Sequence, residues 1–248
     1  MPTPFTHLEI ASRLLADPDL NPSARDFLNQ YRPDFLLGSI IADARVGANI
    51  KRENTHFYTY DQPIRERPWR IMLKTYPALN QPIHEGHHAF IAGYVAHLAT
   101  DEYWARRMVY RQFIKADWGV ADKSIRWLAL NLILFYMDVR DYERILPGYC
   151  ASLCESHPQG WLPFLEDEAI YYWRDLVAHQ LNGQRERQTL NIISEVLGLS
   201  PPEMLDMLSE ENMQEKLWRY ISMEALEQHE TENYQFTLEQ LSLYLDHN

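Results

Sequence analysis

GHHAFIAGYVAHLATDEYW, Gly86 to Trp104, is the stretch from which the rest of the chain is read. It has no proline and a single internal glycine, Gly93, so it predicts a helix. His87, Phe90, Tyr94, His97, Asp101 and Trp104 recur every three or four residues and fall on one stripe. His97 and Asp101 are one turn apart, with Cβ atoms about 5–6 Å from each other. An imidazole nitrogen and a carboxylate oxygen at that spacing can ligate one ion. The plainer reading is a helix with a satisfied core histidine, so the balance rests on what lies upstream.

The chain has 248 residues, 46% hydrophobic and 23% charged, a globular composition. Nine glycines and the absence of recurring short alternating runs predict a mostly helical fold. The net charge of −12 argues against a basic, counterion-releasing surface, so no extended nucleic acid is expected as a partner. A phosphodiester or nucleotide substrate stays compatible, because a bound divalent metal inverts the field of an acidic pocket. Cys150 and Cys154, at i and i+4, read as ordinary reduced residues and imply no disulfide framework. The start, MPTPFTHLEIASRLL, lacks the basic and long apolar regions of a signal peptide. The most apolar run, Trp127 to Met137, is too short to span a bilayer, so no transmembrane segment and a cytoplasmic location are expected.

Thr6 is the expected cap of a first helix from His7 to Ala16, with Glu9 at its third position. A second helix is expected from Ser23 to Tyr31, and a third from Asp34 to Ala44, carrying Asp43 at the end of an apolar run. Ile50 to Arg67 reads as an irregular segment around His56, and Trp69 to Tyr76 as a short helix. Arg106 to Lys115 continues the central helix. Further helices are expected over 123–137, 141–156, 163–182, 184–197, 201–208, 209–228 and 231–245. Ser200-Pro201-Pro202-Glu203 is a clear helix start.

In chain order, His7, Asp43, His56, His97 and Asp101 form a set of nitrogen and oxygen donors of the kind a catalytic zinc or similar divalent ion takes. Residues from separate helices converging on one ion is how sites are built inside helical bundles. Without a thiolate cluster, a structural zinc finger is excluded. Each residue also has a plain reading: His7 decorating the first helix, His56 solvated in its loop, Asp43 held by Arg45 or Arg52. His84, His87 and His88 read as surface residues or supports, and Glu85 and Glu102 as solvated.

At these residues the chain resembles the zinc-dependent phospholipase C family, related in fold to the fungal single-strand nucleases. The resemblance is carried by Thr6-His7, the run Phe35 to Asp43 (FLLGSIIAD), Thr55-His56-Phe57 and the helix Gly93 to Asp101 (GYVAHLATD), and covers residues 3 to 104. It implies that Asp43, His56, His97 and Asp101 hold one metal and that His7 holds a second, bridged by Asp101. It also implies that Asp43 is a candidate general base. The family's fuller members carry a further histidine and an HxxxE helix for a third metal. Here Arg106, Arg107 and Arg111 follow the helix, and His157, His179, His229 and His247 have no glutamate four residues on. Those members also expose an N-terminal tryptophan by signal cleavage, where this sequence reads Met1-Pro2.

The expectation is therefore an all-α, multi-helix bundle of the phospholipase C and single-strand nuclease type, one domain over 1–248. Residues 1–160 form its metal-site core, and 161–248 an acidic helical extension packed on it. The expected activity is metal-dependent hydrolysis of a phosphate ester, most simply a small-molecule or lipid phosphodiester. The cofactor is one or two zinc ions or another divalent metal, and Arg45, Arg52 or Arg107 steadies the phosphate. The alternative is a non-catalytic helical scaffold with a structural or degenerate metal site. A nucleotide phosphohydrolase would carry an adjacent His-Asp pair, which this sequence lacks.

Overall fold

The computed structural model describes residues 1–119, 122–183 and 188–246, and the described chain is all-α. In order, the helices are α1 (Pro4–Ala16), α2 (Pro22–Gln30), α3 (Arg32–Gly38), α4 (Arg45–Ala48), α5 (Glu53–His56), α6 (Pro68–Thr75) and α7 (Glu85–Tyr103). They continue as α8 (Lys123–Arg144), α9 (Tyr149–Glu155), α10 (Asp167–Leu181), α11 (Gln188–Leu197), α12 (Pro201–Asp206), α13 (Glu210–Met213) and α14 (Met223–Leu245). No helix among the described residues is long and apolar enough to cross a membrane.

α7 is the axis of the fold. It packs against α3 on one side and along α14 on another, and every residue from Ala89 to Glu102 is buried. A helix enclosed all round has no need of a polar face. The single-stripe reading of α7 is corrected accordingly. Tyr94, His97 and Asp101 face the candidate site, whereas His87 is bonded to the Trp161 carbonyl at 3.0 Å and Trp104 packs edge-on to His229. Glu102, expected in solvent, is buried and held by Arg67 at 2.6 Å and Arg106 at 2.7 Å.

The crossing of α3 and α7 explains why the third helix is shorter than expected. A Cβ on Gly38 would collide with the Phe90 carbonyl, and one on Gly93 with the Phe35 carbonyl. These two glycines let the backbones touch. α3 stops at Gly38, Ser39 donates its hydroxyl to the Leu36 carbonyl at 2.7 Å, and the chain re-enters a 3-10 turn over Ile41–Ala44 that contains Asp43.

Other boundaries shift for local reasons. α1 begins at Pro4, with proline in its first turn, so Thr6 lies inside the helix and donates to Asp141 at 2.7 Å instead of capping. α8 runs on through Asp141 to Arg144, where a separate helix from Asp141 was expected. The expected 209–228 helix breaks before Ser222, whose side chain caps α14. The start expected at Ser200 is present as a full capping box with Glu203. After α7 the chain continues without interruption into a π-helical segment, Trp104–Lys115. Cys150 and Cys154 are free thiols, and residues 184–187 and His247 lie outside the described residues.

The buried apolar side chains form two clusters among the described residues. The larger joins α1, α3, α7, α10 and α14 through residues such as Leu8, Phe35, Phe90, Val177 and Leu241. The smaller joins the π-helical segment to α8 and to α12 through α14, around Trp104, Phe113, Ile133 and Leu217.

Candidate metal centre

Four backbone elements deliver five polar side chains to one buried point. His7 comes from α1, Asp43 from the 3-10 turn, His56 from the last position of α5, and His97 and Asp101 from successive turns of α7. The residue after His56, Phe57, has φ 60°, an uncommon left-handed conformation for a bulky side chain. Its ring is held edge-on by Tyr76 and Phe164, which fixes the turn that ends α5.

His7, Asp43, His56, His97 and Asp101 are each at most 6% exposed. Donor atoms of His7, His97 and Asp101 lie within 4.8 Å of one another, and so do those of Asp43, His56 and His97. The two groups share His97. Asp101 splits its oxygens between them: Oδ1 is 3.5 Å from His7 Nε2, and Oδ2 is 3.2 Å from His56 Nε2 and 3.8 Å from His97 Nε2. His56 Nε2 is also 3.5 Å from Asp43 Oδ1 and 3.4 Å from His97 Nε2. The His7 and His97 rings stack at 3.8 Å.

The free ring nitrogens are turned inward by what holds the other nitrogen. His97 Nδ1 is 2.8 Å from the Ser39 carbonyl, which can only accept, so Nδ1 carries the proton and Nε2 is left bare. His56 Nδ1 meets the Thr55 hydroxyl at 2.9 Å, and that hydroxyl donates to the Arg52 carbonyl at 3.4 Å. The proton again belongs on Nδ1, and Nε2 is the lone-pair nitrogen. Tyr94 braces the same turn by donating to the Thr55 carbonyl at 2.8 Å.

The donor set fits a metal ion on two counts. First, His7 Nε2 and Asp101 Oδ1 are buried without a hydrogen-bond partner among the described residues, a costly state that an ion relieves. Second, ligands about 2.0–2.1 Å from a tetrahedral zinc stand about 3.3 Å from each other. The separations of 3.2, 3.4 and 3.5 Å around His56 Nε2 have that spacing. Two nitrogen-rich groups with hard carboxylates suit zinc.

Electrostatics follow from burial against pairing. Burial pushes the Asp43 and Asp101 carboxyls up, but the neighbouring imidazoles, and Arg52 for Asp101, outweigh it and hold both below the ordinary carboxylate range. Burial first, and then the neighbouring His7, bring His97 down to about 3, a neutral ligand. Arg52 donates to Asp101 Oδ2 at 2.8 Å and to the Tyr58 hydroxyl at 2.8 Å, and Tyr58 in turn donates to the Asp101 carbonyl at 3.2 Å.

Sequence reasoning gathered the five donors but left Thr55, Tyr58, Tyr94 and the Ser39 carbonyl unassigned. Adjacency of Thr55 to His56, and the place of Tyr94 on the His97 side of α7, were the available signals. Arg52 sits on Asp101, not on Asp43, and Arg107 lies on the π-helical segment. His56 is fully buried and not solvated.

Residues 6–104 match the family model described as zinc dependent phospholipase C. All five donors fall inside that span, so this part of the chain is similar to that family. Residues 1–5 and 105–248 lie outside the match. No curated protein and no solved structure matches the chain significantly.

Proposed function

We propose that the protein is a zinc-dependent phosphodiesterase that cleaves a small or lipid phosphate ester. Asp43, His56, His97 and Asp101 hold one ion, and His7 with Asp101 a second. The observation that carries this reading is the convergence of five buried nitrogen and oxygen donors, with His7 Nε2 and Asp101 Oδ1 lacking a hydrogen-bond partner among the described residues, inside the family-matched span. When bound, zinc supplies Lewis-acid charge at the phosphoryl group and lowers the pKa of water.

The remaining work falls to this chain's own side chains. Asp43, at 6%, is the least buried of the five donors. Ionised because its imidazole neighbours outweigh burial, its carboxylate takes the proton of the attacking water. Arg52 keeps one guanidinium nitrogen, Nη1, buried without a partner while Nη2 is engaged by Asp101 and Tyr58. We assign that N–H to a phosphoryl oxygen, with Arg45, whose Nε also lacks a partner among the described residues, as a second donor. His97 and His56 keep their Nδ1 protons on Ser39 and Thr55 throughout and are not proton carriers.

A structural-clip reading draws on the near-complete burial of the donors, since ligand-saturated sites do no chemistry. The two are separated by metal content and turnover. Protein purified without chelator or nickel is to be assayed by plasma mass spectrometry as wild type and as Asp101→Ala, then screened against phosphodiesters and phosphomonoesters. One or two equivalents of zinc in the wild type, lost in the variant, together with diester turnover, support the reading. A wild type that takes up no metal when supplied with zinc or manganese overturns it, and metal without turnover leaves the structural clip.

A further inference from the structure

Beside the metal centre, Tyr58 to Tyr60, Gln62 to Ile64 and residues of the π-helical segment Trp104–Lys115 line a pocket of about 400 Å³, the size of a small-molecule site. Arg106, Arg107 and Arg111 line it together with Tyr58, Tyr60 and Tyr110, and among the described residues no aspartate or glutamate does. In a chain with 35 acidic and 23 basic residues, such a lining runs against the composition. Arg106 is partly neutralised by buried Glu102 at 2.7 Å. Among the described residues Arg107 and Arg111 form no ion pair, although the Arg107 guanidinium lies 5.9 Å from the Tyr103 ring centre and its charge also acts on Glu232.

The pocket and the metal centre share a wall. The Tyr58 ring lines the pocket, while its hydroxyl is bonded to Arg52 at 2.8 Å and to the Asp101 carbonyl at 3.2 Å. Tyr60 packs edge-on to Tyr58, and the Arg52 guanidinium lies 4.3 and 4.8 Å from the two ring centres. Tyr58 thus links the pocket to the surroundings of the metal centre.

We propose that this pocket binds an anionic group carried by the substrate in addition to the phosphodiester that is cut, through Arg107 and Arg111 with Arg106. The proposal rests on the phosphodiesterase reading for the identity of the ligand as substrate. Guanidinium groups pair with phosphoryl or carboxylate oxygens through paired N–H donors. The same charges repel a cationic headgroup, so selection is for anionic over cationic substrates.

The test uses three soluble diesters with the zinc-loaded full chain: glycerophosphocholine, glycerophosphoglycerol and glycerophosphoglycerol phosphate, with cationic, neutral and anionic far ends. Binding is read by titration calorimetry and cleavage separately by product release. The expected order of affinity is anionic, neutral, cationic, with about tenfold between the extremes. Arg107→Glu/Arg111→Glu reverses the order, and Arg107→Gln/Arg111→Gln flattens it, with thermal melting checking that both variants fold. Affinities independent of the far-end charge in wild type, or an order that survives both double variants, overturn the proposal. If the order holds but no diester is cleaved, the pocket stands and the hydrolase reading falls. If diesters are cleaved without charge preference, the pocket alone falls.

Discussion

Arg52 and Asp101 are joined by a 2.8 Å contact from Nη2 to Oδ2, which leaves the other oxygen of the same carboxylate, Oδ1, without a hydrogen bond 3.5 Å from His7. Arg52 thus compensates half of a fully buried carboxylate and leaves the other half to an ion.

Arg52→Ala is expected to destabilise the zinc-free protein by about 3 kcal/mol, because it strips a buried charge of its partner. Zinc restores a larger share of stability to the variant than to wild type, since it supplies the missing positive charge. Urea unfolding of both proteins with and without zinc measures this. An equal deficit in both conditions would contradict it.

Gly93→Ala tests the helix crossing. Its Cβ would meet the Phe35 carbonyl and lie 2.8 Å from the Ser39 amide nitrogen, both backbone atoms that cannot rotate away. A loss of about 3 kcal/mol is expected. Zinc binding should weaken too, because the shift moves the Ser39 carbonyl that orients His97. A variant with the wild-type melting temperature and zinc content would show that the backbones are not in contact.

Thr55→Val removes the hydroxyl that fixes the His56 tautomer while keeping the side-chain shape. Zinc affinity should fall about 10–100-fold, as for other supports of ligating histidines, whereas Thr55→Ser retains it. Competition with a chromogenic chelator gives the numbers. Unchanged affinity in the valine variant would mean that the His56 orientation is set elsewhere.

His229 offers a pH readout away from the donors. It is 7% exposed against Tyr103 and Trp104, and burial brings it down to about 4, with Glu232 opposing only in part. Glu9, Arg140, Asp141 and Glu230 line the same small cavity. Below pH 6.5 the unfolded chain takes a proton at this histidine that the folded one refuses until about 4, so this contribution to stability is lost as pH falls through that window. With chelator present, wild type should lose more urea resistance than His229→Gln between pH 7.5 and 5. Parallel losses would place the acid sensitivity on other groups.

Much of this protein was legible in one dimension because its signals are local. Proline, capping residues and helical spacing mark where most helices start and stop, and Ser200 to Glu203 carries both halves of its capping box in the sequence itself. The five donors could be gathered because they lie in motifs that resemble the family's, within the span 6–104 that its model matches. What periodicity misread was α7, whose burial on every side erases the difference between a site face and a core face. It also extended the third helix past Gly38, because nothing local announces that Phe90 of another helix will press on that glycine.

The sequence by itself determined the residue types, their order and the all-helical class, since helix propensity, breakers and donor chemistry belong to each residue and its near neighbours. Only the tertiary structure decided which lone pairs converge. It placed Asp101 between three imidazoles and Arg52, turned His56 and His97 inward through Thr55 and Ser39, and set Arg107 and Arg111 around a pocket on the far side of Tyr58. Those outcomes depend on contacts between residues tens of positions apart, which are fixed by the close packing of helix on helix and leave no periodic trace along the chain.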